Sequence, residues 1–264
     1  MLGRGFFLLR VSLLLTVLVL VGLWGYGDVK SRGARTEWQR TLSVALVVVA
    51  AEAVDPEAVA RLGERLAALE QQLAEQFSLY RSGPAPFRFV LYGPAQAGSP
   101  PKPPNDGNLA ELAWHNVRQW SYLSEIDASL GLNKSAYDSR IYVVARPPKD
   151  SLTHLVEGYG EQGGRVGIVE VELSESMVDP VLAVVAHELF HTLGAEDKYD
   201  TDGRTLIPLG LADPHREPLL PQTAVEIMAR GRPIDATHER SLDHLGELAV
   251  GPMTAKEIGW AQER

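Results

Sequence analysis

The chain contains no cysteine. That excludes disulfides, thiolate metal sites, iron–sulfur clusters and cysteine nucleophiles, so any metal would have to be held by His, Asp or Glu. Positive charge is scarce as well: 25 Lys and Arg stand against 34 Asp and Glu, a formal net charge of -9. No basic surface supports a nucleic-acid partner. Aromatic residues make up only 7% of the 264, and no internal repeat or low-complexity tract is present. What remains is an ordinary globular composition, 45% hydrophobic and 22% charged.

The apolar residues are unevenly spread. Residues 6–27 form a nearly unbroken apolar run, interrupted by Arg10 and Ser12, and a bilayer needs about 20 such residues. Trp24 and Tyr26 stand at its far end, where amphipathic aromatics favour a membrane interface. Residues 1–27 therefore read as a single-pass membrane anchor. A cleaved signal peptide is the competing reading, with Gly25 and Gly27 as a poor small-x-small site. Arg4 and Arg10 precede the run, whereas Lys30, Arg32, Arg35 and Arg40 follow it, a count that favours a cytoplasmic body. Against that, a short basic N-terminus before an apolar run is the form of an export signal. The expectation is an extracytoplasmic body at the cell membrane, joined by a linker over 28–37 to one domain over 38–264.

Within that domain, residues 42–49 are apolar on both faces, as in a buried strand. Asp55 and Pro56 cap a helix, whose stripe of Val59, Leu62, Leu66, Leu69, Leu73, Phe77 and Tyr80 fits core packing rather than a free coiled-coil partner. Residues 87–92 alternate as a strand, 95–107 read as a Pro- and Gly-rich loop, and a second helix is expected over 109–130. Its apolar side would hold Leu112, Val117, Trp120, Leu123 and Ile126. Strands at 141–145 and 165–173 follow, then a helix opened by Asp179 and Pro180. This order argues an α/β layered domain.

That last helix carries His187-Glu188-Leu189-Phe190-His191. Positions four apart lie one above the other, so His187 and His191 can present two imidazoles to one ion. Glu188 is placed to take a proton from a metal-activated water rather than to bind metal. The run continues to give H-E-x-x-H-x-x-G-x-x-D. Gly194 can adopt the left-handed conformation that ends a helix, bringing Asp197 back as a third ligand. Three protein ligands are the catalytic rather than the structural zinc arrangement.

In these residues the sequence resembles the metzincin clan of zinc metallopeptidases, more closely its members with Asp in place of the usual third His. The resemblance implies a zincin-like fold: a mixed sheet with packed helices, the active-site helix, a Met-turn beneath the metal and a C-terminal helix. Glu226-Ile227-Met228-Ala229-Arg230-Gly231 is the candidate turn, with Met228 as its floor. The last helix is expected to begin at Thr254, where Thr254-Ala255-Lys256-Glu257 reads as a capping box. The likeness covers 42–264 in outline, and specific identity is confined to 187–197 and Met228. It implies a zinc-dependent endopeptidase with a peptide or protein substrate and one catalytic zinc ion. It also implies a strand bordering the cleft that pairs with substrate, for which 163–173 is the candidate, an ordinary core strand being the equal alternative. Where some members have a Tyr two places after the turn Met, this chain has Arg230, so no such ligand is implied. A cysteine switch is excluded, and the stretch before the first strand is too short for a folded prodomain.

Other assignments stand beside these. His215, His238 and His244 lie in Pro-rich or polar segments, as surface histidines do. Glu217 would be the third ligand of a gluzincin-type site, but Pro214 and Pro218 argue against the helix that would carry it. Asp200-Thr201-Asp202-Gly203 resembles the opening of a calcium loop. Position twelve from Asp197 is Pro208 instead of the bidentate Glu, which makes calcium the less expected ion and a plain Asp-Gly turn the default. A non-catalytic, zinc-binding, membrane-tethered interaction module is the alternative function, and Glu188 counts against it because a purely structural site needs no carboxylate beside its ligand.

Overall fold

A computed structural model describes residues 31–102, 104, 108–148, 156–160 and 162–261, together with 10–12, 14–16, 18, 19 and 22. The chain divides into two compact units, Met1–Glu37 and Trp38–Arg264. Most of the expected membrane anchor lies outside the described residues. Among the described residues no helix is long and apolar enough to cross a membrane. Residues 31–36, within the expected linker, are helical.

The second unit is a mixed α/β fold around a five-stranded sheet. Its strands are β1 (Leu42–Ala50), β2 (Phe87–Gln96), β3 (Ser139–Arg146), β4 (Val156–Gly160) and β5 (Val166–Glu172), in the order β2-β1-β3-β5-β4. All neighbours are parallel except β4, which runs antiparallel to β5. Helices α1 (Pro56–Ser78), α2 (Leu109–Ser129), α3 (Val178–Leu193) and α4 (Pro252–Glu257) complete the frame. Beyond α3 lie two short pairs, β6 (Val225–Glu226) with β9 (Leu248–Ala249) and β7 (Arg232–Pro233) with β8 (Glu239–Arg240).

The continuous apolar run of β1 is explained by helices on both faces. Val44, Leu46 and Val48 join one core cluster with Leu62, Leu69 and Leu73 of α1 and Val185 and Leu189 of α3. Ala45, Val47 and Val49 point the other way, toward Leu123 and Ile126 of α2. Helix α1 starts as its sequence predicts, with the Asp55 carboxylate accepting the Glu57 N–H at 2.9 Å and Pro at the first turn. The few aromatics are concentrated rather than scattered. Trp38, Phe77, Phe87, Phe190 and Trp260 form one cluster with ring centroids 5.2–6.4 Å apart, which ties the end of the chain to the sheet.

Four expectations are corrected. Strand β2 runs on to Gln96, because its ladder with β1 resumes after an irregularity at Val47/Val49, so the loop begins later than 95. On α2 only Leu123 and Ile126 of the expected stripe are buried, while Leu112, Val117 and Trp120 are exposed. The second core cluster meets only the last turns of the helix. The last helix begins at Pro252 with Gly251 as N-cap, and Thr254 is fully buried inside it rather than capping. Finally, the segment 163–173 cannot receive a substrate strand along its β5 portion, because β5 is hydrogen-bonded on both sides. The edge position belongs to β4.

Candidate metal centre

Helix α3 buries Val181, Leu182, Val185, Ala186, Leu189 and Phe190 completely. The remaining face carries His187 and His191, whose rings lie 4.7 Å apart at 88°. Gly194 ends the helix at φ 104°, a conformation that disfavours any residue with a side chain. The chain then folds back, and Asp197 Oδ1 stands 3.1 Å from His187 Nε2 and 3.2 Å from His191 Nε2. The three donor groups lie within 4.8 Å of one another. His215, His238, His244 and Glu217 are not members of this group.

The donor chemistry fits a cation. His187 Nδ1 is 2.9 Å from the Ile227 carbonyl and His191 Nδ1 is 2.9 Å from the Ala195 carbonyl. A carbonyl only accepts, so each Nδ1 must carry the proton, which leaves each Nε2 as the lone-pair atom facing Asp197. Two donors on one tetrahedral zinc, with bonds of about 2.0–2.1 Å, sit about 3.3 Å apart, close to the spacing found here. With each Nδ1 carrying a proton, an Nε2–H exists only on a protonated, cationic ring. Burial opposes ionisation of Asp197, but hydrogen bonds from His187 and His191 in that charged form outweigh burial and hold the carboxyl well below its ordinary range. Burial also lowers His191, and Asp197, the Ala195 carbonyl and Glu188 more than offset that, so its pKa is raised.

Glu188 is buried beside this group at 2% exposure, and its Oε2 has no hydrogen-bond donor among the described residues. Burial pushes its carboxyl above the ordinary range, against the pull of His187 and His191. Room for it is made by two glycines. A Cβ on Gly158 would lie 2.2 Å from Glu188 Oε1, and one on Gly167 would lie 3.0 Å from Glu188 Cβ. Strand β4 thus passes directly against the Glu188 carboxylate. Gly158, His187 and Glu188 all line a cleft of about 790 Å³, whose remaining wall includes Met177, Ala183, Val184, Val225, Ile227 and Leu248.

No known protein family and no curated protein matches this chain. The site is therefore characterised by its own chemistry.

Several contributing residues lie outside the run 187–197, among them the candidate Met-turn. Met228, completely buried, lies in a turn closed by Ala229 N–H donating to the Glu226 carbonyl at 2.9 Å. The Glu226 carboxylate accepts the Met228 N–H at 2.6 Å and the Gly251 N–H at 3.1 Å, stapling this turn to the start of α4. Burial raises Glu226 above the ordinary carboxylate range, while these donors pull it down. The turn in turn presents the Ile227 carbonyl to His187. On the opposite side, Met228 O accepts the Lys198 N–H at 2.8 Å. Lys198 Nζ meets Glu257 Oε1 at 2.5 Å, and Glu257 Oε2 accepts the Glu196 N–H at 3.1 Å. The loop bearing Asp197 is fastened at both flanks. Tyr199 stacks on His187 with centroids 6.2 Å apart at 25°, and Arg230 lies over the Tyr199 ring at 4.6 Å. The stretch from Asp200 is an Asp-Gly turn: Asp200 Oδ1 accepts the N–H groups of Asp202 and Arg204 at 3.0 and 2.9 Å. Besides Met228, a glutamate within the apolar run 225–229 is a signal legible in the sequence, since a buried acid there needs backbone donors.

Proposed function

We propose that this protein is a zinc-dependent endopeptidase of metzincin type, tethered to the cell membrane through its N-terminal apolar segment with the body on the extracytoplasmic side. The observation that carries the reading is the locked pair of imidazole tautomers. His187 and His191 each have Nδ1 committed to a backbone carbonyl, so both Nε2 atoms converge on Asp197 Oδ1. His187, His191 and Asp197 would hold the ion, and Met228 would floor the site. When bound, zinc supplies Lewis acidity, which acidifies water and polarises a carbonyl.

The chain's own residues account for the rest. Glu188, with a raised pKa and an Oε2 that meets no donor among the described residues, accepts a proton as base and returns it as acid to the leaving amine. An extended peptide is bound by adding to the outer edge of β4, which pairs only with β5 among the described strands and whose Gly158 lines the cleft. Glu188 favours catalysis over a purely structural zinc module, because a closed structural site gains nothing from a buried carboxylate with an oxygen that meets no donor among the described residues.

The test is metal analysis of the full chain beside His187→Ala, followed by cleavage of an unfolded protein by wild type and Glu188→Gln. One zinc per chain, lost in His187→Ala, with turnover abolished and zinc retained in Glu188→Gln, is the expected result. Zinc without turnover in the wild type would favour the interaction module, and no stoichiometric metal would reject the site. Protease accessibility in intact cells and spheroplasts checks the orientation. A body shielded in both would reject the extracytoplasmic placement.

A further inference from the structure

Arg230 follows directly on the turn that carries Met228, and its guanidinium lies 4.6 Å over the face of Tyr199, which itself stacks on His187. Gly203 lies on its flank, where an added Cβ would stand 3.6 Å from Arg230 Cδ and Nη1. The guanidinium is therefore held on an aromatic platform one ring removed from the His187 imidazole. It lines the same cleft as Glu188.

Its side-chain partner is Tyr199, not a carboxylate. In a chain of net charge -9, other arginines meet carboxylates closely, for instance Arg40 with Asp138 at 2.6 Å and Arg146 with Glu170 at 2.6 Å. Arg230 forms no ion pair with a carboxylate among the described residues. Of the carboxylates on the cleft wall, Asp243 is taken by Arg240 and Glu188 belongs to the candidate metal centre. Arg230 also shares a side-chain hydrogen bond with Tyr199, and the N–H donors not used there can meet a carboxylate bidentately.

We propose that Arg230, on its Tyr199 platform, is a carboxylate-recognition subsite, which selects peptides carrying a carboxylate a few residues from the bond at the metal centre. It deepens the peptidase reading and rests on it for the peptide ligand. With the Tyr199 ring 6.2 Å from His187 and 4.6 Å from the guanidinium, the separation corresponds to at most about three residues of extended chain, at about 3.3 Å per residue. The carboxylate is either the free C-terminus of a short substrate or an Asp or Glu side chain.

Three labelled peptides of one neutral sequence test it: one amidated, one with a free C-terminus, and one amidated with an internal Asp. Their affinities are measured for zinc-loaded, full-length Glu188→Gln protein, which binds without turnover, and for the same protein with Arg230→Gln. A carboxylate peptide is expected to bind at least about tenfold tighter than the neutral amide. Arg230→Gln removes that ratio while leaving affinity for the neutral amide unchanged, an outcome that a merely structural role would not produce. Arg230→Lys, which keeps charge without the fork, shows an intermediate ratio and serves if the Gln variant does not fold. The favoured peptide identifies the source of the carboxylate. Equal affinities, no binding of any peptide, or a preference that survives Arg230→Gln would overturn the subsite. Wild-type cleavage without carboxylate preference overturns the subsite and leaves the peptidase standing. Carboxylate-dependent binding without cleavage does the reverse.

Discussion

The Lys198 ammonium, almost completely buried, meets Glu257 Oε1 at 2.5 Å and so joins the residue after Asp197 to the last helix. Two consequences follow from breaking this pair. Glu257→Ala leaves a buried cation without its carboxylate, which costs about 3–5 kcal/mol. It also frees the Glu196 N–H and loosens the loop that aims Asp197, so metal affinity is expected to fall by about 10–100-fold, as on losing an outer-shell partner. Urea unfolding of the metal-free variant and competition against a chelator measure the two effects separately. Destabilisation with unchanged metal affinity would show that Asp197 is positioned without the clamp.

The turn on the other side of the imidazoles depends on Glu226. Its two carboxylate oxygens each accept a backbone N–H, from Met228 and from Gly251. In Glu226→Gln one of those donors faces an NH₂ group instead. The expected cost is about 1–3 kcal/mol of stability. Because the same turn presents the Ile227 carbonyl to His187 Nδ1, zinc should bind about tenfold more weakly. Thermal unfolding and metal titration check both, and a variant equal to wild type in both would remove Glu226 from its supporting role.

Legibility in the sequence follows the distance between partners. The helix stripe at 59–77 and the doubly apolar strand at 42–49 have local periodicity, and both elements are where that periodicity puts them. His187, Glu188, His191, Gly194 and Asp197 are close in sequence, so one helix and one turn suffice to bring them together. Strand β4 was not legible: residues 156–160 contain two glycines and no apolar alternation, and the strand is defined by its ladder with β5. The pairing of Lys198 with Glu257 spans 59 residues, and nothing local marks either end. The stripe on α2 misled for the converse reason. Its periodicity is genuine, but periodicity says nothing of how far a helix extends past the sheet that covers it.

Acid sensitivity is expected at the start of α3. The Asp179 carboxylate accepts Arg65 Nε at 2.8 Å, Arg65 Nη2 at 2.6 Å and the Leu245 N–H at 3.1 Å. Burial raises its pKa, but these partners outweigh burial and lower it below the ordinary Asp value. A lowered folded pKa means that the stability is fully present above the unfolded pKa, about 3.9, and is lost as pH falls through the folded value. Asp179→Asn should therefore be about 2 kcal/mol less stable than wild type at pH 7, and the gap should begin to narrow below about pH 4 and close only as pH falls through the lowered folded value. Urea midpoints followed from pH 7 down to about pH 2 measure it. A gap that stays constant over that whole range would assign the effect to packing rather than charge.

Gly158 separates the placement of Glu188 from the binding of metal. A Cβ at this position would stand 2.2 Å from Glu188 Oε1, 2.7 Å from Cδ and 2.9 Å from Cγ. The obstruction falls on the far end of a flexible side chain, so Gly158→Ala can fold by swinging the carboxylate aside while His187, His191 and Asp197 are untouched. Misplacement of a reacting group by about 1 Å costs about 10²-fold in rate. On the proposed peptidase reading, the variant is expected to bind zinc as wild type does, to keep its unfolding midpoint and to lose about a hundredfold in kcat/KM on a peptide substrate. Reduced zinc content would mean that β4 supports the ligands themselves. Full activity would mean that the carboxylate tolerates displacement, and the role of Glu188 as the positioned base would fall with it.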